Sequence, residues 1–204
     1  MTLFEKYQPV ISKAIDALHR RTFHFAFPEQ PSAAIYGETA DADGQNKFKT
    51  ALGKPFEELL QENPEGWEGQ EESPYLQQPL NISYPVFSVP ALIDRSSRAF
   101  HLWRKVSVQE RAGLLVESLE RVKGRFFEIA YATMHTTGQG FMMAFQASGP
   151  HAADRALEAI AAGYEELSRF PASVTWDKPM GKYAIQLKKE WRAVPKGISV
   201  VIGC

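Results

Sequence analysis

Residues 55–93 contain no Lys or Arg, yet they carry Glu at positions 57, 58, 62, 65, 68, 71 and 72. Pro64, Pro74, Pro79, Pro85 and Pro90 interrupt the same stretch. Each proline lacks an amide donor and clashes with the preceding helical turn, so no regular helix runs through it. The chain of 204 residues is thereby divided into helical parts on either side of an irregular acidic middle. Such a composition reads either as an acidic docking arm or as a solvated surface connection, and it favours the connection. Trp67, Tyr75, Leu76, Leu80, Ile82, Tyr84 and Phe87 are too apolar for a free tail. The segment is therefore expected to lie pinned against a folded body.

The flanking parts show helical periodicity. In residues 3–24, Phe4, Tyr7, Val10, Ile11, Ile15 and Leu18 recur at helical spacing. Pro9 implies a bend or a late start, and His19-Arg20-Arg21 reads as a basic helix end set against the negative end of the dipole. Residues 28–46 read as loop, and a short helix is expected within 48–61. A helix is expected from Pro90, with Leu92, Ser96, Ala99, Phe100 and Trp103 on one face. Ser107-Val108-Gln109-Glu110 is a capping-box pattern. Leu115, Leu119, Val122, Phe126 and Ile129 then step as a core stripe, with Gly124 as a break. A further helix opens at Gly149-Pro150, with Ala153, Leu157, Ala161 and Tyr164 on one face, and Pro171 ends it. After a turn near Pro179-Met180-Gly181 the pattern becomes β-like, in Tyr183, Ile185 and Leu187 and again near residues 198–202.

Lys and Arg total 23 against 24 Asp and Glu, which gives no support to nucleic acid or an anionic membrane as partner. One Cys excludes a disulfide framework and a multi-Cys metal site within the chain, and a reducing cytosol is the default compartment. No apolar run approaches the roughly 18 residues of a membrane span. The His residues at 19, 24, 101, 135 and 151 form no metal-binding spacing. There is no nucleophile elbow and no phosphate loop, and Gly138-Gln139-Gly140 reads as a helix-ending turn. Trp103 among Arg98, His101, Arg104 and Lys105 reads as a packed aromatic on a basic helix surface. Cys204 has no local base or oxyanion donor, so it is a poor candidate nucleophile.

Several segments carry a family resemblance. Ala99-Phe100-His101-Leu102-Trp103, then Ser107 to Arg111 and Leu114-Leu115, resembles the N-terminal region of aldehyde dehydrogenases. Thr137-Gly138-Gln139 resembles that family's T-G-K turn, with Gln in place of Lys, and Val194-Pro195-Lys196-Gly197 to Ile202 resembles its P-x-G-V-x-x-V-I strand. The resemblance covers about residues 90–204. The long lead before Pro90 and the stretch Trp176 to Lys182 resemble the PaaN-type branch, which serves phenylacetic acid degradation.

The resemblance implies an α/β protein when complete, of which this chain is a mainly α-helical part with a C-terminal β-hairpin and strand portion. It divides the chain into an N-terminal extension (1–89), a helical part of the cofactor-binding domain (90–180), and an oligomerisation-type hairpin with a first entering strand (181–204). It implies NAD or NADP as cofactor of the intact protein, with no tight binding to this chain alone. It implies a ring-opened, CoA-linked semialdehyde as substrate and a homo-oligomer formed through residues 183–194. In such a protein a Cys thiolate attacks the aldehyde, hydride passes to the cofactor and the thioester is hydrolysed. The general-base Glu and nucleophilic Cys would follow Cys204, so the chain is expected to be an inactive N-terminal piece. Ile202, Gly203 and Cys204 match the edge of the cofactor cleft. The competing readings are a free-standing helical interaction module and a CoA-recognition role for residues 1–90.

Overall fold

The computed structural model describes residues 1–194 and 196–201. Its helices are α1 (Leu3–Arg20), α2 (Ala33–Tyr36), α3 (Ala40–Ala51), α4 (Val89–Trp103), α5 (Val108–Lys123), α6 (Phe126–Thr137), α7 (Phe141–Ser148) and α8 (Pro150–Ser168). Three antiparallel strand pairs accompany them. β1 (Gly66–Glu68) pairs with β4 (Tyr84–Val86), β2 (Glu72–Ser73) with β3 (Gln78–Pro79), and β5 (Ser173–Met180) with β6 (Tyr183–Glu190).

Helix α1 begins with a capping box between Thr2 and Glu5 and runs through Pro9. It ends at Arg20, short of residue 24, because Arg21 turns left-handed at φ 52° and donates its N–H back to Leu18. α1, α5 and α8 pack together around Tyr7, Ile11, Ala14, Val116, Leu157 and Ala161. The Ser107–Glu110 capping box starts α5 as its spacing predicts.

The core stripe of α5 differs from the expected one. Ala112, Gly113 and Val116 are buried, whereas Leu115 and Val122 are exposed. Small residues face α1 because the two backbones approach closely: a Cβ on Gly113 would sit 2.6 Å from the Phe4 amide nitrogen. Of the expected stripe, Leu119 packs against the core and Phe126 is buried, whereas Leu115 and Val122 fall off the buried face.

The region after α1 also departs from expectation. Residues 28–46 are not all loop, since they contain α2 and the first half of α3. The helix expected within 48–61 lies earlier, at Ala40–Ala51. Packing against α6 holds a sequence of weak helical propensity, with Phe48 buried and Tyr131 donating to Asp41 at 2.8 Å.

The acidic segment is pinned, as its apolar content requires. Leu80 and Ile82 are buried beside Phe48 in a second apolar cluster, to which α6 contributes Tyr131 and Ala132. Backbone bonds tie the segment down at Gly53 to Leu80, Phe56 to Ser83 and Glu65 to Val86. Arg125 ion-pairs with Glu58 and Glu128, and Arg95 donates to the Glu62 carbonyl while covering the Phe87 ring.

The C-terminal hairpin begins earlier than the strand reading at Tyr183. β5 covers Ser173–Met180 and β6 Tyr183–Glu190, so the hairpin as a whole straddles the 180/181 division. The alternation Val174, Trp176 against Thr175, Asp177 is the signal that marks it. A two-residue turn with Gly181 at φ 62° joins the strands. Among the described residues, 196–201 carry no strand pairing, so the strand expected near 198–202 is not seen there.

Two outcomes follow. Gly113→Ala gains about 1 kcal/mol of helix propensity, but its methyl meets backbone that only a shift of α1 can relieve. Overpacking of about 1–3 kcal/mol outweighs the gain, so the urea midpoint falls. The second concerns Glu117, which accepts from the Tyr7 hydroxyl at 2.6 Å, Lys6 Nζ at 3.0 Å and Arg121 Nε at 3.0 Å. These donors hold its carboxyl at about 2, below the ordinary 4.5. Its contribution is present above pH 4.5 and is lost as pH falls toward about 2. The difference in thermal midpoint between the native protein and Glu117→Gln, measured against pH, should shrink across that interval.

Candidate functional site

The residues matched to the cofactor-cleft edge, Ile202, Gly203 and Cys204, lie outside the described residues. Among the described residues no three His, Cys, Asp or Glu side chains gather to hold a metal ion. The histidines are dispersed. His19 pairs with Glu165 at 2.6 Å, His151 with Glu29 at 2.5 Å, and His101 lies against Phe100. In the basic run at the end of α1, Arg20 pairs with Asp16, which fits a helix end rather than an anion site. No helix among the described residues is long and apolar enough to cross a membrane.

Gly138 closes α6 in the left-handed region at φ 77°, with its N–H on the Met134 carbonyl. The Tyr75 hydroxyl donates to the Gly138 and Gln139 carbonyls. Carbonyls, not free amides, therefore converge there, and this turn does not fit a cofactor phosphate.

A Ser–His contact does exist, unforeseen because its members lie 62 positions apart: Ser73 Oγ is 2.8 Å from His135 Nδ1. Ser73 is fully buried, and its Oγ accepts from the Tyr75 and Leu76 amides. An oxygen so enclosed cannot attack a substrate, so the pair is structural. Asp154 is also buried. Its Oδ1 accepts from the Ala26 and Phe27 amides, and burial raises its pKa. This carboxylate fastens the strap after α1 to α8. A cleft of about 460 Å³ lies beside it, with Arg21, His24 and Arg155 in its walls.

The feature of the fold most open to a function is a surface. In the β5–β6 register Val174 faces Lys189, Trp176 faces Leu187, Lys178 faces Ile185 and Met180 faces Tyr183. Directly opposed residues share a face. One face of the hairpin therefore holds Val174, Trp176, Met180, Tyr183, Ile185 and Leu187, and the other holds Thr175, Asp177, Gln186, Lys188 and Glu190. All six apolar side chains are between 39% and 81% exposed. Lys189 Nζ lies 3.9 Å from the Trp176 ring centroid and gives that ring its one cationic cover among the described residues. A two-stranded sheet of this kind is marginal alone in water. Helix α4 repeats the pattern: it has no buried residue, and Val89, Leu92, Ile93, Leu102 and Trp103 stand exposed. The expected packed setting of Trp103 is thus absent among the described residues. Amphipathic elements with uncovered apolar faces are surfaces built to be covered.

The comparisons with known proteins agree with that description. Over 93% of its length the chain is similar to the crystal structure of an NAD-dependent aldehyde dehydrogenase from Burkholderia multivorans, at 44% identity and a TM-score of 0.87. The match covers 34% of that chain, so this chain spans about a third of its relative's length. No family model matches, and no curated protein does. The fold class is that of an aldehyde dehydrogenase part, mainly helical with C-terminal strands, and the likeness supports the aldehyde dehydrogenase superfamily.

If the apolar hairpin face is a contact surface, a charge there weakens assembly. In the intact protein Leu187→Lys should shift sedimentation toward smaller species, while Thr175→Lys on the polar face should leave it unchanged. Equal behaviour of the two variants would separate assembly from this face.

Proposed function

We propose that this chain is the N-terminal part of an NAD-dependent aldehyde dehydrogenase and serves as scaffold and assembly arm rather than as the seat of the chemistry. The observation that carries this reading is the likeness at 44% identity across 93% of the chain, combined with coverage of only 34% of the relative. The nicotinamide cofactor, when bound, supplies the hydride acceptor. The helical body α1, α5, α6 and α8 contributes rigidity. The uncovered faces of α4 and of the β5–β6 hairpin contribute the surfaces on which the remainder of the subunit and a second copy pack. Pairing through the hairpin is supported by its one-sided apolar face and by the free outer edges of both strands among the described residues.

The cofactor is NAD, the one named for the relative. The substrate is a CoA-linked, ring-opened semialdehyde of phenylacetate breakdown, a reading supported by the long lead before α4 and by the Trp176 to Lys182 sequence.

The test compares two proteins. The intact protein should reduce NAD in the presence of an aldehyde, with CoA-thioester semialdehydes turned over faster than simple aliphatic ones. Residues 1–204 alone should give no turnover. Turnover by residues 1–204 would overturn the scaffold reading, and preference for a simple aldehyde would overturn the substrate.

A further inference from the structure

We propose that the Ser73–His135 contact is a pH-sensitive latch that docks the acidic segment onto α6 at neutral pH and loosens it in acid. The argument begins with a count of protons and lone pairs. Ser73 Oγ has one hydrogen and two acceptor positions. Both acceptor positions are taken, by the Tyr75 amide at 3.3 Å and the Leu76 amide at 3.1 Å. The hydroxyl hydrogen must therefore point to His135 Nδ1, 2.8 Å away. That nitrogen then carries a lone pair, and the ring is the neutral tautomer with its hydrogen on Nε2.

Adding a proton from solvent to Nδ1 turns the acceptor into a donor. Two donors would face each other across a contact from which water is excluded, and Ser73 has no third lone pair to offer. The contact must open, and the turn at Tyr75 and Leu76 is built on the same oxygen. A buried donor left without a partner is costly, and the cost falls on the turn at Tyr75 and Leu76, whose amides depend on Ser73 Oγ.

Among the described residues no carboxylate faces the ring, and its neighbours are aromatic. Phe48 of α3 stacks on it at 4.5 Å and 10°, and Tyr75 meets it edge-on at 5.8 Å. Tyr75 is the titratable group in contact from the docked segment. The charges nearest in sequence are directed elsewhere. Lys47 and Lys49 of α3 reach Glu128 and Gln45, Glu72 is exposed, and Glu71 acts on Tyr84. Burial alone, without a carboxylate partner, moves His135 below its ordinary 6.5. A lowered value means that docking is complete above pH 6.5 and weakens as pH falls from there toward the lowered value, below which it levels off.

The test is hydrogen exchange of the Tyr75 and Leu76 amides in the intact protein, corrected for the intrinsic pH dependence of exchange. Protection should fall by up to about tenfold per pH unit below 6.5, while amides in the middle of α5 keep theirs. His135→Asn retains an acceptor oxygen near the Nδ1 position and cannot be protonated, so its protection should be flat across the same range. Nitrogen-15 shifts of the native His135 ring provide a measurement that needs no variant. They should report Nε2–H at pH 7.5 and a second ring proton arriving together with the loss of protection. Protection that does not change with pH, a ring already protonated on Nδ1 at pH 7.5, or the same loss in His135→Asn would each overturn the latch.

Discussion

Helix α6 is the element on which the rest of the fold depends, because it packs into both apolar clusters at once. Phe126, Phe127 and Ala130 enter the main core, while Tyr131, Ala132 and His135 meet the cluster of Phe48, Leu80 and Ile82. Phe126 and Phe127 stack edge-on or tilted against Phe145, and both approach Tyr36. Buried aromatic rings of this size contribute about 1.5–3 kcal/mol each by burial. Together with Phe48 of α3, α6 gives the acidic segment the apolar surface it lies on.

That arrangement explains how a segment with Glu at seven positions and no cation of its own stays folded. Its carboxylates remain largely solvated, and the two arginines that reach it, Arg95 and Arg125, come from helices on the far side of the segment in sequence. Leu80 and Ile82 point the other way, onto α3 and α6. The Ser73–His135 bond lies within this contact, with Ser73 fully buried.

The body and the two uncovered elements obey different physics. α1, α5, α6, α7 and α8 satisfy one another, down to glycines that allow close backbone approach. α4 and the β5–β6 hairpin are equally regular, yet each leaves its apolar face in water. The proposed reading has other parts of the subunit or another subunit cover these faces, and the chain spans about a third of its relative's length. On the proposed scaffold reading, what these residues supply is shape and contact.

Short-range signals were legible in the sequence. Ser107 with Glu110, Pro150 at a helix start and Gly138 at a helix end each act within four residues, so spacing alone locates α5, α8 and the end of α6. The irregular acidic middle followed from its prolines and its docking from its apolar content, although the anchors are Leu80 and Ile82 while Trp67, Tyr75 and Tyr84 stay exposed. Only the tertiary structure decided which face of α5 is buried, since that depends on how closely α1 approaches Gly113. It also decided that α3 forms at residues 40–51, where packing on Tyr131 and Phe127 overrides weak propensity. The meeting of Ser73 with His135 had no sequence signal, because a hydrogen bond across 62 positions is made by the fold and not by local spacing.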